Sequence, residues 1–246
     1  MRNEGGPSPL VLVADHAGAE IPRALAGLGL SASALETHIA VDIGVAALAR
    51  ALSDLLAAEL VEQRWSRLVI DCNRDPGRPD SSPVVSDGIP IPGNGALTAE
   101  ARQARRAAVF DPYHARIEAA LERRIGRPGP RPILVSLHSF TPVLGGSARP
   151  WRLGVLHAGD SPFSAAALGA LREAFGAAAV GDNAPYRMDE TDYTVPRHAR
   201  GRGLDYLELE TRQDLIADSA AAAALAAILA DVLATAAKSL SGGPDS

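Results

Sequence analysis

Residue types that carry out catalysis sit at the ends of short apolar runs in this chain. His16 follows "PLVLVAD", His138 closes "ILVSLH" and His157 closes "LGVLH". Asp15 and Glu20 flank the first histidine, and Asn73, Arg74 and Asp75 follow "RLVID". Glu208, Glu210 and Arg212 lie in and after "LDYLEL". Histidines, carboxylates and arginines meeting at one rim would suit metal-assisted hydrolysis. Neutral imidazoles and one carboxylate hold Zn²⁺ and leave a position for water. A free carboxylate then moves the water's proton, and arginines hold a substrate carboxylate or a developing oxyanion. The chain has no HExxH, so spacing alone leaves the metal reading open.

The remaining candidates have simpler readings. His38 falls on a helical pattern and reads as a helix-face residue, and His114, after Pro112, reads as structural. His157 is a candidate for support or substrate contact, and His198 in "PRHARGRG" for a surface or lid position. Cys72 has no base beside it in sequence and reads as a buried inert thiol. Serine catalysis is disfavoured because the chain contains no GxSxG turn.

For these groups to converge, the runs that carry them must be neighbouring strands. "PLVLVAD", "SRLVIDCNRD", "RPILVSLHS", "RLGVLHA" and "GLDYLELETR" are short apolar runs that stop at polar residues, the pattern of buried parallel strands. Helices are expected between them. One runs over 31–60 with Ser31 or Ser33 as cap. Another covers 98–124 and is kinked at Pro112. "SPFSAAALGALREAF" has Ser161 as cap and Pro162 in the first position, and a long helix closes the chain over about 212–237. Residues 76–97, rich in Pro, Gly, Ser and Asp, read as a long functional loop. The alternation predicts an α/β fold: one domain over 1–246 with a doubly wound, mostly parallel sheet, and flexible tails at 1–8 and 239–246. Functional groups in such sheets gather at the carboxyl ends of the strands, where the residues above lie.

Composition excludes several classes. The 246 residues are 47% hydrophobic and 22% charged, the balance of a globular domain, and the net charge is −5 with no basic run. Nucleic acid and anionic membrane are therefore poor partners. A single cysteine makes no internal disulfide and fits a reducing compartment, so a cytoplasmic location is expected. The first apolar run is too short for a signal segment. The alanine-rich stretch after "TRQDLIADS" is interrupted by Asp231 and reads as a core helix rather than a membrane span.

Several blocks, in order, carry a resemblance. "VADHAGAEIP", "HIAVDIG", "SRLVIDCNRDP", "IPIPGN", "PYH", "SLHSFTPVL", "RPWRLGVLH", "NAPYR" and "ETRQDLI" together resemble the N-formylglutamate amidohydrolase family, from about residue 10 to residue 230. The resemblance implies a fold similar to zinc carboxypeptidases and aspartoacylases: a three-layer, phosphorylase/hydrolase-like domain with a mixed, mostly parallel sheet flanked by helices. It implies one Zn²⁺ per chain, with another divalent metal as the alternative. The substrate is expected to be a small molecule bearing carboxylates. The expected reaction converts N-formyl-L-glutamate and water to formate and L-glutamate, late in histidine breakdown.

The resemblance also assigns roles. His16 and His138 match the metal histidines. The wider fold has a glutamate three residues after the first histidine; here that residue is Ala19, so Glu20 and Asp42 compete for the third ligand. Glu210 matches the general base, with Glu208 two residues away in reserve. Arg74 and Asn73 match a carboxylate-binding pair, and Arg67 and Arg149 are candidates for the oxyanion or a second carboxylate. Two rival functions remain at this level. One is a related amidase or peptidase acting on another N-acyl amino acid or peptide. The other is a metal-free binding protein of the same fold. The oligomeric state is not legible in the sequence.

Overall fold

Four of the expected apolar runs form strands, and they meet in one sheet. The computed structural model describes residues 1–241. In chain order the strands are β1 (Leu10–Ala14), β2 (Glu59–Glu62), β3 (Val85–Ser86), β4 (Ile89–Pro90), β5 (Ile133–Phe140), β6 (Val143–Leu144), β7 (Ser147–Ala148), β8 (Leu153–Leu156), β9 (Val180–Asp182) and β10 (Tyr206–Arg212). The helices are α1 (Ala32–Leu35), α2 (Val45–Leu56), α3 (Ala99–Arg105), α4 (Asp111–Ile125), α5 (Pro162–Phe175), α6 (Thr194–His198) and α7 (Ser219–Ser241).

The main sheet has the order β2-β1-β5-β10-β8-β9. Strands β2, β1, β5 and β10 are mutually parallel; β8 pairs antiparallel with β10, and β9 runs parallel to β8. The sheet is thus mixed and mostly parallel, as expected. Alternation along β10 divides it between two layers. Leu207 and Leu209 pack with α2, α5 and α7 residues such as Leu48, Leu52, Phe163 and Leu229. Tyr206 faces the other layer, with Val11, Val13, Phe110 and Ile117. Each fully buried leucine contributes roughly 1.5–3 kcal/mol, so this alternation fixes which face each glutamate of β10 takes.

Helix α7 is long and apolar enough to cross a membrane by length and composition. Its Ala222, Leu225, Ala226, Leu229 and Leu233 are buried in the first layer, which accounts for that hydropathy.

Several expectations are corrected. The run "RLVID" is not a strand, because its carbonyls are taken by side chains instead of a ladder. Ser82 Oγ donates to Val69 O at 3.1 Å, Asn94 Nδ2 to Leu68 O at 2.9 Å and Arg105 Nη1 to Val69 O at 2.9 Å. The expected 31–60 helix is two helices, α1 and α2, separated by turns over 36–44 that end at Gly44 with φ +81°, and its last residues enter β2. Ser31 caps the short α1 by accepting from Ala34 N. The 98–124 helix is broken by a π-turn over Arg106–Phe110, with Pro112 opening α4. The closing helix starts at Ser219, after a short 3₁₀ turn over Gln213–Ile216. Residues 76–97 carry the β3–β4 ribbon, and Ile91 packs with Leu28, Ile39 and Leu68. Ser161 and Pro162 begin α5 as expected.

The N-terminal residues are tied down. Arg2 bridges Leu60 and pairs with Asp54, and Asn3 Nδ2 donates to Ser53 O. At the other end, 239–241 belong to α7, and the rest of the expected tail lies outside the described residues.

Candidate active site

The site forms at the carboxyl ends of β1, β5 and β10. Asp15 and His16 follow β1 and are buried. In the β5–β10 ladder Ser136 lies beside Glu208, and His138 beside Glu210. Asp42 comes from the turn before α2, and its amide donates to His16 O at 3.0 Å. That turn needs Gly44: besides its positive φ, a Cβ there would lie 2.1 Å from Ile216 O.

His16, Asp42 and His138 form a buried group, with one candidate ligand atom from each within 4.8 Å of the others. Asp42 Oδ2 lies 3.5 Å from His16 Nδ1 and 3.1 Å from His138 Nδ1. The opposite nitrogens face other partners. His16 Nε2 is 2.7 Å from Asp71 Oδ1. His138 Nε2 is 3.1 Å from Ser136 Oγ and 3.4 Å from Asp15 Oδ2. Each ring therefore turns Nδ1 inward and is backed at Nε2 by a buried carboxylate, the arrangement that fixes the tautomer of a metal-binding histidine. Among the described residues His16 Nδ1 has no hydrogen-bond partner. Burial pushes Asp42 upward, but His16 and His138 outweigh it and hold the carboxylate ionised. Against the effect of burial, Asp15, Asp42 and Asp71 in turn raise the two imidazoles, His138 well above its ordinary value. A cation bound between the rings would take the place of those protons, and the donor set and the orphaned His16 nitrogen fit a divalent cation.

Glu208 and Glu210 both line the cavity beside His138. Glu208 Oε1 is 3.9 Å from His138 Nε2, the side of Asp15. Glu210 pairs in register with His138, and the charges of His138, Asp42, His16 and Arg67 act on it. Burial raises Glu210 to about 7. Burial and Asp192 raise Glu208 to about 8. Oε2 of each is buried without a hydrogen-bond partner among the described residues.

A cavity of about 280 Å³ opens over this group, lined also by Arg67, Arg74, Tyr186, Arg187 and Asp192. Arg67 pairs with Asp71 at 2.7 Å and reaches Asp42 at 3.4 Å. Arg74 Nη1 lies 3.5 Å from Asp192 and donates to Thr191 O at 3.4 Å. Asn73 is committed to the same loop: its Oδ1 accepts from Tyr193 N and Thr194 N, and its Nδ2 donates to Asp192. The side chain expected to bind substrate thus holds the wall of the cavity.

Other expected residues lie elsewhere. Glu20 is 57% exposed and paired with Arg64, in a separate cleft with Trp65 and Arg50, because the β1–α1 segment carries it past the rim. Arg149 is buried behind Tyr186, not at the cavity surface. His157 pairs with Asp182 at 2.9 Å and His38 with Asp87 at 3.2 Å. His198 is no surface residue. It stacks on His114 at 5.1 Å between centroids, with His198 Nε2 2.9 Å from His114 Nδ1. Cys72 is buried and pushed well upward by burial, so it stays a thiol.

A sequence-family model for N-formylglutamate amidohydrolase matches residues 8–217. The chain belongs to that family. Among solved structures, the gene product Atu2144 from Agrobacterium tumefaciens is 39% identical with a TM-score of 0.92, covering 98% of this chain and 94% of that one. The N-formylglutamate amidohydrolase from Ralstonia eutropha JMP134 is similar in fold, with a TM-score of 0.67 at 22% identity over 98% of this chain and 97% of that one. No curated protein matches the sequence. Membership in the N-formylglutamate amidohydrolase family makes the chain an amidohydrolase by relationship, and it agrees with the resemblance read from the motif blocks.

Sequence reasoning passed over Asp71, Tyr186, Arg187 and Asp192. Asp71 was visible as the polar stop of "RLVID", but the carboxylate partner of His16 is set by an irregular turn that no periodicity announces. Tyr186 and Arg187 stand in the "NAPYR" block with no spacing that would give them a role.

Proposed function

We propose that this N-formylglutamate amidohydrolase family member is a metal-dependent enzyme that hydrolyses N-formyl-L-glutamate to formate and L-glutamate. The observation that carries the reading is the inward-facing His16, Asp42 and His138 group with Glu210 beside it. His16, Asp42 and His138 would hold one Zn²⁺ or a similar divalent cation. When bound, such a cation lowers the pKa of water and polarises the acyl oxygen as a Lewis acid.

The chain's own residues do the rest. Arg67 and Arg74, each about one quarter exposed at the cavity, present guanidinium groups to the two carboxylates of the substrate. Glu210 takes a proton from the attacking water as the new C–O bond forms at the formyl carbon. The same carboxyl then gives that proton to the departing amine nitrogen as the C–N bond breaks. Burial raises this carboxyl above the ordinary carboxylate range, which helps it take up the proton that it passes on. Glu208, on the Nε2 side of His138, supports the ring rather than the water. A place late in histidine breakdown and a cytoplasmic location follow from the same reading.

The test is formate release by the purified protein from N-formyl-L-glutamate, N-formyl-L-aspartate and a formylated neutral amino acid. An N-acetylglutamate and a short cell-wall-type peptide, followed by amine release, complete the panel. The expected result is the highest kcat/KM for N-formyl-L-glutamate. Preference for the acetyl or peptide substrate would overturn the proposed specificity, and no hydrolysis by metal-loaded protein would overturn the enzyme.

A further inference from the structure

Arg149 was a candidate for direct contact with substrate, yet its guanidinium is walled off. It lies 4.8 Å from the centroid of the Tyr186 ring and 5.7 Å from that of Phe140. Its position is fixed from three directions. Its amide donates to Pro142 O at 2.8 Å, its carbonyl accepts from Arg212 Nη1 at 3.4 Å, and its Nη1 donates to Tyr186 Oη at 2.8 Å. Among the described residues, the cavity-lining residue it reaches through a hydrogen bond is Tyr186.

Tyr186 is itself placed by a close backbone fit. Gly154 and Gly181 pair across β8 and β9. A Cβ on Gly154 would lie 2.2 Å from Ala184 O, and one on Gly181 2.3 Å from the same oxygen. The two bare glycines let the 183–185 segment rest directly on the sheet edge, so Tyr186 leaves it toward the cavity. Because the phenol oxygen accepts from Arg149, its own proton is directed elsewhere. Among the described residues that proton has no acceptor. Tyr186 lines the same cavity as Arg67, Asp42 and Glu210.

We propose that Tyr186 donates a hydrogen bond to the substrate carboxylate held by Arg67, and that Arg149 is the positioning residue that aims it. The inference rests on the dicarboxylate reading above and adds a specificity contact to it. A tyrosine held by a buried arginine loses little freedom on binding, and a donor to an anion is worth more than one to a neutral group.

The experiment measures kcat and KM for N-formyl-L-glutamate in wild type, Tyr186→Phe, Arg149→Met, Arg149→Lys and the Tyr186→Phe/Arg149→Met double variant, with melting temperatures alongside. Tyr186→Phe is expected to raise KM about tenfold or more with kcat within about threefold, the loss of one hydrogen bond to a charged group. Arg149→Met should give the same KM rise, Arg149→Lys should restore part of it, and the double variant should be no worse than Tyr186→Phe. An unchanged KM in Tyr186→Phe, a fall confined to kcat, or multiplying effects in the double variant would overturn the clamp. Failure of wild type to release formate from N-formyl-L-glutamate would instead strike the functional reading, and the clamp with it.

Discussion

Asp71 Oδ1 lies 2.7 Å from His16 Nε2, while His16 Nδ1 looks toward Asp42 from 3.5 Å. The aspartate thus fixes the ring from behind and makes it a better donor. Asp71→Asn should weaken metal binding about 10- to 100-fold while the fold survives. Competition against a chelating dye measures the affinity, and circular dichroism checks the fold. An unchanged affinity would show that Asp71 serves Arg67 alone.

Glu210→Gln keeps shape and removes the proton carrier. Metal content should stay at wild-type level and turnover should fall by about two to four orders of magnitude. Glu208→Gln should lose far less, since Glu208 faces Nε2 of His138. The comparison is a steady-state assay of both variants with metal analysis. The reverse ranking would make Glu208 the base.

Glu20 and Asp42 competed for the third ligand position on sequence alone, and their surroundings now predict opposite behaviour. Glu20→Ala removes an exposed ion pair with Arg64, and such pairs contribute little. Its metal content and activity should match wild type. Asp42→Ala should lose most of the metal, read by elemental analysis after gel filtration. A metal-depleted Glu20→Ala protein would refute this placement.

The His114–His198 stack predicts acid sensitivity. His114 Nε2 lies 3.0 Å from the Cys72 carbonyl, so it is the donor there and His114 Nδ1 accepts from His198. Burial lowers His114 to about 4, and burial together with the neighbouring His114 lowers His198 to about 3. Both native values lie below the ordinary 6.5, so the unfolded chain binds protons that the folded chain refuses. The stabilisation is complete above about pH 6.5 and declines as pH falls toward 4 and 3. His198→Phe keeps a ring without a titrating nitrogen. Urea melts at pH 7 and pH 5 should show a smaller acid loss in this variant than in wild type. Equal losses would remove His198 from the account.

Gly154→Ala tests the seat of Tyr186. The added methyl meets the Ala184 carbonyl, so the 183–186 segment must move. We expect lower stability and a KM shifted in the same direction as in Tyr186→Phe, read by thermal melting and steady-state kinetics. A wild-type KM would mean the segment moves without carrying Tyr186.

Much of the fold was legible because its strands are apolar runs that stop at polar residues. "PLVLVAD", "ILVSLH" and "LDYLEL" became β1, β5 and β10 and delivered His16, His138 and Glu210 to one rim. What periodicity could not show was any position set by side chains bonding to backbone. "RLVID" looks like a strand by composition, but Ser82, Asn94 and Arg105 satisfy its carbonyls, and Asp71 arrives beside His16 through a turn. Arg149 was visible as a cation near the site, whereas its burial behind Tyr186 depends on where a distant segment settles.

The β5–β10 ladder ties catalysis to folding accuracy. Glu208 and Glu210 alternate with Leu207 and Leu209, so a slip of one residue would turn both carboxylates into the leucine-lined layer and present leucines to the cavity. Such a chain would bury two acids without partners and lose its chemistry together. A misregistered molecule should therefore be both less stable and inactive.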